Sequence, residues 1–148
     1  MASNKHTRGF LGTGWNYSLQ PLHPAGIGIG LDGDGCIAEV GGDQVVHQSI
    51  WLILGTAIGE RVSRPEFGCA IHDLVFAPIN AATLGQMEQA VREALEIWEP
   101  RIDLLGVRAE PSQEIAGAVT IAVHYLIRET NSRFNMVYPF YLTPPEPA

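Results

Sequence analysis

Hydrophobic residues recur every three or four positions in two stretches of the chain, which is the spacing of one face of an α-helix. The first stretch begins at Gln44, with Asp43 placed to accept amide hydrogens at its start and Gly59 just past its end. The second stretch follows Asn80, and polar residues occupy its other faces. The two predicted stripes are Val46, Ile50, Ile53, Leu54 and Ala57 in the first helix, and Leu84, Met87, Val91, Leu95 and Trp98 in the second.

After Pro100 the period drops to two, which predicts three successive strands over residues 104–110, 117–127 and 134–142. Turn residues fill the gaps between them, so a meander is the simplest pairing. In the middle strand one face carries Val119, Ile121, Val123, Tyr125 and Ile127. The fold class is therefore predicted as α+β, with two main helices packed on a small C-terminal antiparallel sheet.

The N-terminal part of the chain lacks a sustained period. Residues 1–26 predict an extended arm, and the Asp-Gly pairs of residues 32–35 predict a β-hairpin that follows it. The segment 59–78, with two prolines, is too irregular for a single element. We expect one domain over residues 27–142 and a Pro-rich tail over 143–148.

Composition narrows the class of protein. The 148 residues, 46% of them hydrophobic, suit one domain with a real core. A formal charge of −7 argues against nucleic acid or an anionic membrane as a partner. No stretch approaches the roughly 18 apolar residues that cross a bilayer, so we expect a soluble, cytosolic chain. Cys36 and Cys69 form neither a disulfide framework nor a zinc spacing.

Motifs for cofactors and metals are weak. Residues 28–33 match G-x-G-x-x-G, but another turn and another apolar run follow where that motif needs a helix. Asp32 and Asp34 begin like a calcium loop without its further ligands. The histidines are scattered without zinc spacing: His6, His23, His47, His72 and His124. We expect no cofactor, no metal and no catalytic residue.

A glycosidase needs two carboxylates, and three glutamates are candidates for them: Glu60, Glu66 and Glu99. Each lies close to an arginine in sequence, and an arginine partner lowers the pKa of a group that must act as an acid. A structural or interface ion pair is the favoured interpretation.

The tripeptide Glu99-Pro100-Arg101 ends the second helix. Proline disfavours helical geometry in the residue before it and fixes its own φ angle, which predicts a stiff, nearly extended corner. Alternate residues of an extended backbone project to the same side, so both charges would point one way as a fork for a partner. Alternatively, the two charges pair with each other or with Arg61 and Glu66. The residues alone leave both open.

Five short motifs occur in one order along the chain: "GER" at 59–61, "RPEFG" at 64–68, "LVFAP" at 74–78, "EPRI" at 99–102 and "YPFYL" at 138–142. This ordered set resembles the baseplate wedge family of contractile tails, some members of which are labelled tail lysozymes. The resemblance runs from about residue 10 to residue 142. The arm sequence "GFLGTGW" is most similar to members from phage-tail-like extracellular injection particles; other members occur in phages and type VI secretion machines.

The resemblance implies a structural role in a baseplate with sixfold symmetry. It implies that Glu99, Pro100 and Arg101 dock the chain onto a core bundle of other wedge proteins. It also implies that the C-terminal strands present a template to the sheath protein, and hub or spike is a further candidate partner. On this basis the predicted partner-binding residues are Glu99, Pro100, Arg101, Glu60, Arg61, Arg64, Tyr138 and Phe140.

We therefore expect a non-enzymatic baseplate adaptor that is cytoplasmic during assembly and then part of the particle. The alternatives are a peptidoglycan-degrading tail lysozyme and a solitary regulatory domain with the same fold. The lysozyme label derives from another tail component's activity, so we do not transfer it.

Overall fold

The computed structural model describes residues 11–15, 17–18, 28–29 and 31–142. The chain divides into two compact units, Met1–Trp51 and Leu52–Ala148. Most of the predicted arm and the whole predicted tail lie outside the described residues, and the division into arm, single domain and tail stays a prediction. Within the described ranges, no helix is both long and apolar enough to cross a membrane.

In the first unit, the Asp-Gly segment forms the predicted tight turn. The Gly35 amide donates to the Asp32 carbonyl over 3.1 Å, and Gly35 adopts a φ of 79°. The Asp32 carboxylate accepts from the amides of Asp34 at 3.0 Å and Cys36 at 2.8 Å. Its oxygen therefore stabilises the turn, as expected for an aspartate at this position.

The predicted hairpin around this turn is only partly right. The two sides of the turn meet in a single antiparallel bridge between Leu31 and Ile37. Beyond that bridge, each side pairs antiparallel with a short strand from the arm: β1 (Thr13–Trp15) with β4 (Glu39–Gly41), and β2 (Tyr17–Ser18) with β3 (Gly28–Ile29). Strands of two or three residues are too short to show a period, so the sequence carried no pattern that could predict this pairing.

Helix α1 spans Asp43–Gly55. The stripe is confirmed at Val46, Ile50, Ile53 and Leu54, all of them at most 1% exposed. The predicted boundaries are shifted, because Asp43 lies inside the helix and Ala57 lies beyond its end. The Ala57 amide donates instead to the Glu60 carboxylate over 2.9 Å, which is a contact of the following loop.

The connection after α1 contains a 3₁₀ helix, Ala70–Leu74, that the sequence did not predict. Five residues are too few to show a helical period. Ile71 is nevertheless fully buried, so this turn belongs to the core of the second unit.

Helix α2 spans Ala81–Trp98, as predicted. The Asn80 side chain accepts from the Thr83 amide over 2.9 Å and satisfies one of the unpaired donors at the helix start. Of the predicted stripe, Met87, Val91 and Leu95 are fully buried. The helix therefore begins, ends and faces the core where its sequence indicates.

The three predicted C-terminal strands form one antiparallel meander in the order β5 (Ile102–Pro111), β6 (Ala118–Ile127) and β7 (Ser132–Tyr141). A bulge interrupts the β5–β6 register between Leu104 and Gly106. The predicted inner face of β6 is confirmed, since its five residues are at most 1% exposed: Val119, Ile121, Val123, Tyr125 and Ile127. The α+β fold class is confirmed.

Candidate partner-binding surfaces

At the corner after α2, the residue before the proline leaves the helical region. Glu99 has φ −125° and ψ 76°, outside the helical region, while its amide still donates to the Leu95 carbonyl over 3.0 Å. Pro100 follows and is exposed. The helix therefore stops at Trp98, as the proline predicted. The predicted nearly extended corner is wrong, because Pro100 and Arg101 form a turn in which the Ile102 amide donates to the Glu99 carbonyl over 3.4 Å.

The two charges of the corner pair with each other. The Arg101 Nε atom lies 2.6 Å from Glu99 Oε1, and Nη2 lies 2.6 Å from Oε2, which is a bidentate geometry. The Glu99 side chain is 1% exposed and the Arg101 side chain 22% exposed. Of the two alternatives left open by the sequence, internal pairing is therefore the one observed, and the fork of two outward charges is wrong for Glu99.

Burial makes this pair important for the shape of the corner. A carboxylate as buried as Glu99 is costly unless it is paired, so the guanidinium of Arg101 is held close to it. Glu99 and Pro100 line a surface groove with Asp103 and Arg128. The exposed residue of the corner is Pro100, and docking of the corner onto a partner stays a prediction.

The "GER" and "RPEFG" motifs form one closed loop, defined here as the arginine loop, residues 57–69. The loop is closed at its base, where the Cys69 amide donates over 2.9 Å to the carbonyl of Thr56, the residue before the loop. Within the loop, the Gly59 amide donates to the Pro65 carbonyl over 2.7 Å. Gly68 has a φ of 133°, and a Cβ there would lie 2.5 Å from the Thr56 oxygen. Only glycine fits so close to the Thr56 carbonyl, which explains why the "RPEFG" motif ends in glycine.

Rings attach the arginine loop to the end of α2. Phe67 meets Trp98 edge to face, with 5.1 Å between ring centroids. The Arg61 guanidinium lies 4.4 Å from the Phe67 centroid, and the Arg64 guanidinium lies 5.9 Å from the Trp98 centroid. The loop is thus attached to α2 by aromatic and cation–π contacts, whereas the sequence had suggested ion pairs with the corner.

The predicted residues of β7 lie on its inner face. Phe140 is 5% exposed and meets the His72 ring edge to face, with 5.5 Å between centroids. Tyr138 is half-buried, and burial, with a smaller effect of Cys69, raises the pKa of its hydroxyl. Both side chains therefore contribute to this chain's own core, and a partner on β7 would have to be bound mainly by the backbone.

The two edges of the sheet differ. In antiparallel pairing, alternate residues direct their amides to the neighbouring strand and the others direct them outward. On β5 the amide of Ala109 donates outward to the Glu88 carboxylate of α2 over 2.9 Å. On β7 the Leu142 amide donates to the Gly117 carbonyl, which places the outward amides at odd-numbered residues.

Pro139 lies at one of these outward positions, where its missing N–H takes no bond from the sheet. In the described part of the chain, β7 pairs only with β6. Glu88 was not singled out from the sequence, because nothing in a helical pattern says which outward carboxylate will meet a strand.

Two of the three carboxylates considered for catalysis make contacts within the chain. The Glu99 carboxylate is paired, and the Glu60 carboxylate accepts the Ala57 amide. Burial raises the pKa of the Cys69 thiol to about 11, which disfavours the thiolate needed of a nucleophile. Among the residues that the structure describes, no cluster of histidine, cysteine and acidic side chains could hold a metal ion.

Comparisons with known proteins point to one family. Residues 40–132 match the family model described as baseplate wedge protein gp25. The baseplate wedge protein gp25 of Enterobacteria phage T4 is 35% identical over 66 residues, which are 45% of this chain and 50% of the phage protein. The chain thus matches about half the length of that relative. Baseplate protein W of Escherichia phage P2 is 29% identical over 94 residues, 64% of this chain and 80% of that protein.

A solved structure is similar to a larger part of this chain than the phage T4 protein is. The crystal structure of a candidate tail lysozyme from Geobacter sulfurreducens has 51% sequence identity and a TM-score of 0.68, covering 74% of this chain and 99% of that one. The family model spans more than half of the chain, including the arginine loop, the corner and most of the sheet. The chain belongs to the baseplate wedge protein gp25 family.

Proposed function

We propose that this chain is a structural wedge component of the baseplate of a contractile injection particle. It assembles in the cytoplasm, six copies to a baseplate, and docks onto other wedge proteins through the corner at Pro100. Its last strand then pairs with the sheath protein. Family membership supports the baseplate role, and the geometry of the second unit supports the two contacts.

The observation that carries the proposal is the difference between the sheet edges. An unpaired edge is an open row of amides and carbonyls, which natural monomers usually block. Here β5 is protected by Glu88 and a bulge, while β7 is interrupted at Pro139 and has no second strand partner in the described residues. Addition of a strand to β7 would satisfy those groups, and the affinity would come chiefly from backbone hydrogen bonds.

The alternative is a peptidoglycan hydrolase, which the name of the Geobacter relative raises. A hydrolase needs two carboxylates, one of them with a raised pKa. Glu99 and Glu60 are engaged within the chain, and the remaining candidate, Glu66, is exposed. Clearing of peptidoglycan by the purified chain, lost on Glu66→Gln, would establish the hydrolase instead.

The strand contact is tested with two substitutions at Asn135, an exposed residue of β7 whose amide points outward. Asn135→Pro removes one outward donor, whereas the control Asn135→Ala keeps it. We expect particles with Asn135→Pro to show baseplates without full sheaths in electron microscopy, because strand addition loses a hydrogen bond and meets the proline ring. The alanine control should grow normal sheaths.

Normal sheaths on Asn135→Pro baseplates would contradict the strand contact. The melting temperature of each purified variant shows whether folding is intact, since a proline at an outward position leaves the β6–β7 hydrogen bonds in place.

A further inference from the structure

Among the described residues, two arginines of the arginine loop have no carboxylate within ion-pair distance. Arg61 and Arg64 are both exposed. In the part of the chain that the structure describes, the ion pairs are Glu99 with Arg101, Glu110 with Arg108 and Asp103 with Arg128. The chain carries 16 acidic residues against 9 basic ones, so two arginines without an acid are not a result of scarce carboxylates.

Ring contacts hold these arginines instead. Arg61 lies over Phe67 and Arg64 over Trp98. A ring face attracts the cation but supplies no carboxylate oxygen, so the guanidinium keeps its planar set of donors for a bidentate acceptor. Because the side chains are already ordered, less conformational entropy is lost when an acceptor binds.

The support beneath the arginines is also ordered. Phe67 packs on Trp98, and the loop backbone is closed by the Gly59 to Pro65 hydrogen bond. Trp98 directly precedes Glu99, so the arginine loop and the corner are built on the same end of α2.

An exposed apolar residue lies between the two cations in sequence. Val62 is 97% exposed. Two cations flanking an apolar side chain match a protein segment in which acidic residues flank an apolar one. A nucleic acid fits less well, since its backbone demands many cations and this chain has a formal charge of −7.

We propose that Arg61 and Arg64 together bind a carboxylate-rich segment of another baseplate protein, with Val62 in apolar contact between them. This inference rests on the proposed function, because it assigns a second contact to the same wedge subunit. The partner group is a set of acidic side chains on another protein.

The first test reverses both charges. With Arg61→Glu and Arg64→Glu combined, we expect the amount of this chain in purified particles to fall on the order of 100-fold, because two charge-assisted contacts become repulsive. The matched control is Arg108→Glu, another exposed arginine with only a 4.0 Å contact to Glu110. It should incorporate like the wild type.

Normal incorporation of the double variant would overturn the inference while leaving the proposed function intact. Absence of the wild-type chain from particles would instead refute the proposed function. The two failures are therefore distinct.

The second test does not depend on a charge reversal that could disturb the loop. Arg64→Lys keeps the charge and supplies an amine, which a carbodiimide couples only to a carboxylate within reach. In assembled particles we expect mass spectrometry to find a cross-link from this position to an aspartate or glutamate of another protein. The control Arg108→Lys should give no such link. A particle containing the Arg64→Lys chain with no link at that position would contradict the inference.

Discussion

Two arginine–carboxylate pairs contribute residues to the groove at the corner, and they differ in burial rather than in distance. Arg101 approaches Glu99 to 2.6 Å, and Arg128 approaches Asp103 to 2.6 Å. The side chains of the first pair are 22% and 1% exposed, whereas those of the second are 58% and 50% exposed. Equal distances thus occur in surroundings of very different polarity.

Because of this difference in burial, we expect only the Glu99–Arg101 pair to determine the local structure. Water competes for both partners of an exposed pair, so such a pair contributes about 0–1 kcal/mol. A buried carboxylate has no water to replace a lost partner, so breaking its pair is costly. We infer that Glu99 serves to position Arg101 and the corner, while the Asp103 pair tolerates change.

The largest effect is expected from Arg101→Ala, which leaves Glu99 buried without its partner. The free energy of unfolding should fall by roughly 3–5 kcal/mol, as for other broken buried pairs. Urea denaturation of the purified chain, followed by circular dichroism, measures it. A loss below about 1 kcal/mol would mean that water enters the corner and would remove the contrast between the pairs.

A much smaller effect is expected from Arg128→Ala. It should lower the free energy of unfolding by about 1 kcal/mol or less, and the difference from the wild type should shrink further in about 1 M salt, which screens exposed charges. The same denaturation series at low and high salt checks it. A loss as large as that of Arg101→Ala would show that burial does not separate the two pairs.

Long elements were predictable from the sequence because each repeats its pattern several times. Helix α2 has a stripe of five residues and a capping Asn80, and β6 alternates over its whole length. The pairing of β1 with β4 was not predictable, since strands of three residues carry no period. The 3₁₀ helix at Ala70–Leu74 was missed for the same reason.

The candidate site was predictable in its backbone but not in its side-chain contacts. The end of the helix before Glu99 was predictable, because the steric effect of a proline on the preceding residue is local. The sequence did not predict which group each charged side chain pairs with, because the pairing depends on burial. Burial in turn is set by residues that are distant in sequence. The contact of Arg64 with Trp98 likewise joins the arginine loop to the end of α2 across 34 positions, the difference between 98 and 64.

We propose that the corner, held by its internal ion pair, docks on another wedge protein, and a substitution at exposed Pro100 tests this proposal most directly. Pro100→Glu adds charge and bulk to that surface while keeping both Glu99 and Arg101, and Pro111→Glu makes the same change at an exposed proline of β5. The measurement is the amount of each variant in purified particles, by immunoblot against the wild type. We predict a strong loss for Pro100→Glu and wild-type incorporation for Pro111→Glu; equal incorporation of both folded variants would contradict the account.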